Sequence, residues 1–382
     1  MGAPSLERCV GDADRFFSRH WAKSPLLVTR SSGESFDDLA SLEDLDRMIS
    51  SLGLRSSSLR MVKDGRQLPP AAYTLMPSAK SRGVEAIVSP ALVYERFYDG
   101  ATIALEGLHR YWEPLADFSR DLEVALGHRL QVNAYITPPG SQGFDVHRDD
   151  HDVFVLQVSG SKHWLVYDHE DDERILIDKS IESGDALYIP KGWPHAAATA
   201  EGASAHLTVG IITHDSTDVL QEITKLAAEE PAFQERLDKE STGDRSTLRS
   251  LVERHVEDLR TWLDKIDIDQ ATDRVARRVM GTSQPILRGQ LTQLNGLSAI
   301  DAGTTVARRR GAICVVRRPE GAVRVLLVDR ELEMPRHAAP ALQHVADRPS
   351  FQVDELHQWL EPESALVLVR RLVREGLLEV VV

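Results

Sequence analysis

Leu6, Val10, Phe16, Phe17 and Trp21 recur at helical spacing through SLERCVGDADRFFSRHWA and predict a helix over residues 5–22. KSPLLVTR predicts a short strand entered through a proline. SFDDLASLEDLDRMISSLG predicts a helix opened by a capping residue and closed by glycine. SLRMVKDGRQLPPAAYTL predicts a strand, a Lys-Asp-Gly turn and a loop. Ala101–Leu105 reads as a strand, and the amphipathic helix after it ends at Gly127.

From about 129 to 213 the texture changes. HRLQVNAYITPPG, DVFVLQVSG, KHWLVYD, RILIDKSIESGDALYIP, HAAATA and SAHLTVGIIT are short apolar runs separated by Gly, Pro and Asp. That spacing suits an antiparallel barrel or a double-sheet jelly roll. Strand character disappears from 215 to 292. TDVLQEITKLAAEEPAFQERL and STLRSLVERHVEDLRTWLDKI predict helices with a Ser-Thr-Gly-Asp break between them. They predict either a bundle or dimer interface, or a plain helical appendage. In the tail, strands ICVVRR and VRVLLV flank a Pro-Glu-Gly turn. Helical segments RHAAPALQHVAD, VDELHQWL and ESALVLVRRLVREG follow, and LLEVVV closes the chain. Helix, helix, strand is a winged-helix-like order. The expected organisation is 1–213, a catalytic core with an α/β lead-in; 214–299, a helical and possible dimerisation region; and 300–382, the winged-helix-like unit.

Composition narrows the classes of function. The 382 residues carry a net charge of -14 and are 42% hydrophobic, enough for real cores. Such a balance disfavours a general nucleic-acid binder, which needs Lys and Arg against phosphates. In the tail, Arg and acidic residues balance and Lys is absent, so protein contact is expected there rather than nucleic acid. Cys9 and Cys314 are the only cysteines and form no C-x-x-C pair, which fits a reducing compartment. The N-terminus has no signal-peptide pattern, and Leu6 stands where a myristoylation motif wants Ser or Thr. No apolar run of about 18 residues exists, so no membrane span is expected and a cytoplasmic protein is the default.

One stretch raises a chemical question. GFDVHRDDHDVFVLQVSGSKHW sets Asp145, His147, Asp149, Asp150, His151 and Asp152 directly ahead of the apolar run Val153–Leu156. It reads either as a solvated acidic loop or as one edge of an iron site. In a strand, residues i and i+2 share a face, so His147 and Asp149 aim an imidazole and a carboxylate the same way. A third ligand is available in His195, 46 residues after Asp149, which opens a strand after the turn Pro190-Lys-Gly-Trp-Pro194. Two His and one carboxylate on one face of a metal, with open positions opposite, form the facial set of non-haem Fe(II) oxygenases. Alone, H-x-D is a weak signal. Flanking strands and a downstream histidine favour the iron site.

VNAYITPPGSQGFDVHRDDHDVFVLQVSGSKHWLVY resembles the Jumonji-C oxygenases of the ribosomal oxygenase branch, within the cupin superfamily. It matches in the N-x-Y-x-T-P strand, the Gln-Gly-Phe turn, H-x-D, the apolar strand and the G-x-K-x-W hairpin. The likeness is strong over 130–212 and looser in FFSRHWAKSPLLV, the helical region and the tail. It implies an α+β fold: a double-stranded β-helix (jelly roll, JmjC/cupin) core, a helical dimerisation-type region and a C-terminal winged-helix-like domain. It also implies an Fe(II)- and 2-oxoglutarate-dependent, O2-consuming oxygenase that hydroxylates Arg or His of a ribosomal protein. His147, Asp149 and His195 would be the metal ligands and catalytic set. Lys162 would face the far carboxylate of 2-oxoglutarate, with Asn133 and Tyr135 as further cosubstrate contacts on the preceding strand. A basic protein partner suits an acidic chain by electrostatic steering, and a homodimer through the helical region is expected.

Other residues are assigned less. Asp150, His151 and Asp152 read as a solvated rim, and Asp145 and Arg148 as lining the substrate mouth. The family often carries Tyr where Arg148 stands, which puts the substrate in question. His206 shares a face with Thr208 and reads as a core histidine. Trp164 and Trp193 read as core or lid aromatics, and His169–Glu173 as an exposed turn. Three alternatives stay open: a hydroxylase of a peptide or small molecule, a lysine demethylase-like enzyme, or a non-catalytic cupin scaffold.

Overall fold

The computed structural model describes the chain apart from residues 1–3, 31–33, 76–84, 142–144, 172, 199–201, 238–243, 281–284, 319–320, 328–329 and 382. The Gln-Gly-Phe turn, the break at 241–243 and part of the Pro-Glu-Gly turn lie outside the described residues. Internal contacts divide the chain into two units, Met1–Thr213 and His214–Val382.

In the first unit the helix expected over 5–22 is two short helices, α1 (Pro4–Val10) and α2 (Ala13–Arg19). Gly11 sits at φ +76°, and Asp12 caps α2 by accepting from Arg15 N at 2.8 Å, so the chain turns where apolar spacing alone reads straight on. β1 (Leu26–Val28) follows. The next predicted helix is also split, into α3 (Asp37–Ala40) and α4 (Leu42–Ser51), because Ser41 and Asp44 form a capping box inside it. β2 (Leu59–Lys63), β3 (Arg66–Gln67), β4 (Thr74–Leu75), β5 (Ile87–Val88), α5 (Pro90–Tyr98), β6 (Thr102–Leu105) and α6 (Glu113–Leu126) complete the lead-in.

Seven strands build the core: β7 (Arg129–Thr137), β8 (Asp152–Ser159), β9 (Ser161–Tyr167), β10 (Ile175–Glu182), β11 (Ala186–Ile189), β12 (His195–Ala198) and β13 (Ser204–Ile212). One sheet runs β1-β11-β8-β13-β7-β6-β2-β3, and a second runs β10-β9-β12. The alternation of β8 explains its apolar run Val153–Leu156. Phe154, Leu156 and Val158 join the large core that also holds Phe16, Leu122 and Tyr188, while Val153 and Val155 join a smaller cluster with Trp164, Val166 and Ile181. A strand covered on both faces has no polar face to show. Mixed α/β content and two opposed antiparallel sheets give the jelly-roll fold.

The second unit begins with α7 (Ser216–Ala227), α8 (Arg245–Leu263) and α9 (Ile268–Met280), the last not foreseen from the sequence. Arg274 pairs with Glu222 and Glu229, and Arg278 with Asp218, which ties α9 to α7 by charge. α10 (Gln290–Asn295) leads into the tail, which holds β14 (Thr305–Arg308), β15 (Val315–Arg317), β16 (Ala322–Leu326), β17 (Glu331–Pro335), α11 (Ala339–Asp347), β18 (Ser350–Gln352), α12 (Pro362–Arg374) and β19 (Leu378–Val380). Two three-stranded sheets, β18-β14-β19 and β15-β16-β17, pack with α11 and α12 around Val306, Leu342, Phe351, Val369 and Leu372. Arg317 pairs with Asp273, and Arg277 with Glu331, so helical segment and tail are linked by charge. Among the described residues no helix is long and apolar enough to cross a membrane.

Candidate metal centre

The segment before β8 and the start of β12 meet as an isolated antiparallel bridge. His147 N donates to His195 O at 3.1 Å, and His195 N to His147 O at 2.9 Å. The two imidazole centroids then lie 4.3 Å apart. Asp149 completes the group: its oxygens are 4.0 Å from His147 Nε2 and 3.5 Å from His195 Nε2. All three ligand atoms fall within 4.8 Å of one another, the arrangement one ion needs.

Hydrogen bonds fix which ring nitrogens carry the proton. His147 Nδ1 lies 2.8 Å from Asp145 O, and His195 Nδ1 lies 3.0 Å from Trp193 O. A carbonyl only accepts, so both Nδ1 atoms carry the proton and both Nε2 atoms present a lone pair. Burial, and then the neighbouring His147, hold the pKa of His195 below its ordinary value, which keeps the ring neutral as a metal ligand requires.

The group opens into a cavity of about 210 Å³ walled in part by Arg60, Tyr135, Val155, Lys162, Trp164 and His206. β9 delivers two of these. Its burial alternates, so Lys162, Trp164 and Val166 point inward while His163 and Leu165 do not. The turn before it requires glycine: Gly160 has φ +64°, and a Cβ there would meet Ala203 O at 2.1 Å. On β13 and β7, His206 is paired with Tyr135, and the rings stack at 5.2 Å.

Lys162 is 4% exposed, and among the described residues its one polar partner is Thr137 Oγ1 at 3.3 Å. Burial alone pushes its pKa down to about 8. Trp164 Nε1 and His206 Nδ1 are buried with no hydrogen-bond partner. Burial, and then Lys162, keep His206 well below its ordinary pKa and therefore neutral. An ammonium held by a single hydroxyl, an indole N–H and a neutral imidazole on one small cavity call for an oxygen-rich anion, since no anion of the described residues meets them. A keto diacid fits that demand, and the lone pairs of His147, Asp149 and His195 fit a divalent ion.

Five of the six residues singled out from sequence are thus brought to one cavity. Asn133 is not among its walls; its side-chain oxygen accepts from Gly107 N at 2.9 Å, one rung along β7 from Tyr135. Asp152 is a correction. It is 2% exposed rather than part of a solvated rim, because it begins β8 with its side chain on the face opposite the cavity, bonded to Tyr188 OH and Lys191 N. His206 and Trp164, read as core groups, line the cavity and have polar atoms without partners there. Arg60, Thr102 and Thr208, which line the cavity, and Thr137, which bonds Lys162, were not picked out as site residues. The alternation that selects Asn133 and Tyr135 also reaches Thr137, whereas nothing local marks Arg60, which bonds Tyr135 OH at 3.0 Å from the lead-in.

Residues 112–219 match the JmjC domain family. The chain is 29% identical over 246 residues to the bifunctional lysine-specific demethylase and histidyl-hydroxylase NO66 of Drosophila grimshawi, covering 59% of this chain and 32% of that protein. It is 29% identical over 243 residues to Ribosomal oxygenase 1 of Gallus gallus, covering 59% of this chain and 39% of that one. It thus spans 32–39% of the length of these relatives. Among solved structures, the Escherichia coli ribosomal oxygenase YcfD aligns over 98% of this chain and 99% of its own, with a TM-score of 0.58 at 19% identity. The same protein in complex with cobalt and 2-oxoglutarate aligns over 97% of this chain and 98% of its own, also at 0.58 and 19%. Residues 112–219 thus match a JmjC domain, the fold is shared with the ribosomal oxygenase YcfD, and over 59% of its length the chain is similar to NO66 and Ribosomal oxygenase 1.

Proposed function

We propose that the chain is an Fe(II)- and 2-oxoglutarate-dependent oxygenase that hydroxylates a protein side chain, foremost a His or Arg of a ribosomal protein. One observation carries this: three metal-type ligands and an unneutralised buried lysine share one cavity. The relatives' names, histidyl-hydroxylase and ribosomal oxygenase, support the substrate class. So does the net charge of -14, which would steer a basic partner.

His147, Asp149 and His195 would hold the iron, and Lys162 the far carboxylate of 2-oxoglutarate, with Trp164 and His206 as neutral donors beside it. Bound together, iron and 2-oxoglutarate supply the power to activate O2 and oxidise a C–H bond. The protein's task is placement. The backbone bonds between 147 and 195 set the ligand spacing, and Asp145 O and Trp193 O hold the rings in the metal-binding tautomer. Val153 and Val155 give the cavity a dry wall. Arg60, bonded to Tyr135 and paired with Glu106, faces both this cavity and a polar cavity outside it, the route we assign to the substrate.

The test measures succinate formed from 2-oxoglutarate with and without Fe(II), alongside mass spectrometry of ribosomal proteins for a +16 Da product. Iron-dependent turnover that is lost in His147→Ala is expected. Equal turnover in that variant would overturn the ligand assignment.

We also propose a cytoplasmic homodimer. α8 has no buried residue, and Leu248, Val252, Val256 and Leu263 lie exposed along one of its faces. Val252→Lys with Val256→Lys should convert a dimer to a monomer by light scattering; a parent that is already monomeric removes the proposal. Residues 300–382 are assigned as a winged-helix-like protein-contact module, with nucleic acid disfavoured by its balanced charge.

A further inference from the structure

Asp152 starts β8, so its neighbour Val153 faces the cavity and Asp152 faces away, under the N-terminal helices. Both of its oxygens are engaged. Oδ1 accepts from Lys191 N at 2.8 Å, and Oδ2 from the Tyr188 hydroxyl. Tyr188 OH in turn accepts from Ala22 N at 2.9 Å, and its ring packs against Phe16 at 4.9 Å and Trp21 at 6.2 Å. Burial and then the charge of Asp152 push the Tyr188 phenol upward, which keeps it a donor.

Lys191 begins the turn that delivers His195. The same turn is held from the H-x-D side at two further points: Gly192 N donates to Asp149 O at 2.9 Å, and the Arg148 guanidinium donates to Gly192 O. His169 Nδ1 lies 3.2 Å from that carbonyl, and its ring stacks on Trp193. The segment 147–152 therefore grips 191–195 at five places, counting the two backbone bonds between His147 and His195. Of the side chains in this grip, Asp152 is the buried one, while Arg148 is exposed.

We infer that Asp152 is a positioning residue of the metal centre: a carboxylate behind the sheet that fixes the 190–194 turn, and so the reach of His195 to His147 and Asp149. The inference rests on the metal-centre assignment above. It explains why an acidic residue precedes the apolar run Val153–Leu156, and hydrogen bonds through Tyr188 and Ala22 tie the same carboxylate to the N-terminal lead-in. Arg148, the departure at the middle of H-x-D, acts in the same clamp through Gly192 O.

The test is cobalt(II) binding to the full chain, followed by absorption and calorimetry, beside thermal unfolding of the metal-free protein. Asp152→Asn keeps the shape but turns an N–H2 toward one of two donors, so the clamp loses one hold. Groups that orient metal ligands typically cost 10- to 100-fold in metal affinity when removed, and a loss in that range is expected for Asp152→Asn. Tyr188→Phe leaves the Asp152–Lys191 bond in place. It should lower the unfolding temperature yet weaken cobalt binding by less than about threefold. Binding by Asp152→Asn within twofold of the parent overturns the inference. So does a loss in both variants that merely tracks their unfolding temperatures. His147→Ala separates the two levels: if it too binds cobalt as the parent does, the metal centre itself is misassigned, whereas loss there with retention in Asp152→Asn sinks the positioning role alone.

Discussion

Lys162 in the first unit and Arg309 in the second are both buried cations, 4% and 6% exposed, and the contrast between them separates a site from a scaffold. Both terminal nitrogens of Arg309 are provided for by its own unit, while its Nε has no hydrogen-bond partner. They donate to Arg288 O at 2.6 Å and Gln290 Oε1 at 2.7 Å, and Glu379 lies 3.6 Å away. Lys162 meets one threonine hydroxyl. Burial disfavours the charge at both places, but only Arg309 has an anion nearby to offset it. A buried charge that the fold satisfies holds the fold together. One left unsatisfied is kept for what comes from outside.

The comparison is broken most strongly by removing each charge. Lys162→Met should abolish 2-oxoglutarate binding to within detection, a loss of about 100-fold or more. It should also stabilise the ligand-free protein. A fall from 10.5 to about 8 corresponds to about 3 kcal/mol, at about 1.4 kcal/mol per pH unit. Arg309→Met should do the reverse. It strands the Arg288 carbonyl and Gln290, costs about 2–4 kcal/mol, and leaves 2-oxoglutarate affinity unchanged. Denaturant unfolding and calorimetry of both variants decide it. Destabilisation by Lys162→Met would mean that the lysine is structural after all.

The pH dependence sharpens the same point with a smaller effect. The folded pKa of Lys162 lies below its unfolded value, so between about 8 and 10.5 the unfolded chain holds the proton and the folded one does not. Stability of the ligand-free protein from this group therefore rises across that window and is flat below it. Lys162→Met should remove the rise. Saturating 2-oxoglutarate should shrink it, because a carboxylate beside the ammonium restores the charged form.

What was legible in the sequence follows from the same physics. The i, i+2 spacing put His147 and Asp149 on one face before any coordinates, and the structure keeps them together although an isolated bridge, not a continuous strand, holds them. Asp152 broke the reading because its neighbours are acidic and a run of Asp and His looks solvated; only the depth of the lead-in helices over β8 decides otherwise. Gly11 and Ser41 split helices that apolar spacing reads as continuous, since a cap inside a periodic run changes direction without changing period. Arg60 was out of reach because it meets Tyr135 across 75 positions of chain. In the tail, β14, β17 and β18 hold 4, 5 and 3 residues and lie between charged and small residues, so no apolar run marks them.

The smallest expected effects lie at the neutral donors, and they test whether the cavity's demand for an anion extends beyond Lys162. Trp164 Nε1 has no acceptor, so Trp164→Phe removes a buried N–H that stabilises nothing in the ligand-free fold. The cost to stability should come only from lost volume. If the indole donates to 2-oxoglutarate, affinity should fall about tenfold by calorimetry. His206→Asn keeps a donor on β13 but gives up the stack on Tyr135, whereas His206→Phe keeps a stacking ring and gives up the donor. Weaker binding in the Phe variant than in the Asn variant would identify the imidazole as a ligand contact. The opposite order would return His206 to the aromatic wall and leave the far carboxylate of the diacid to Lys162.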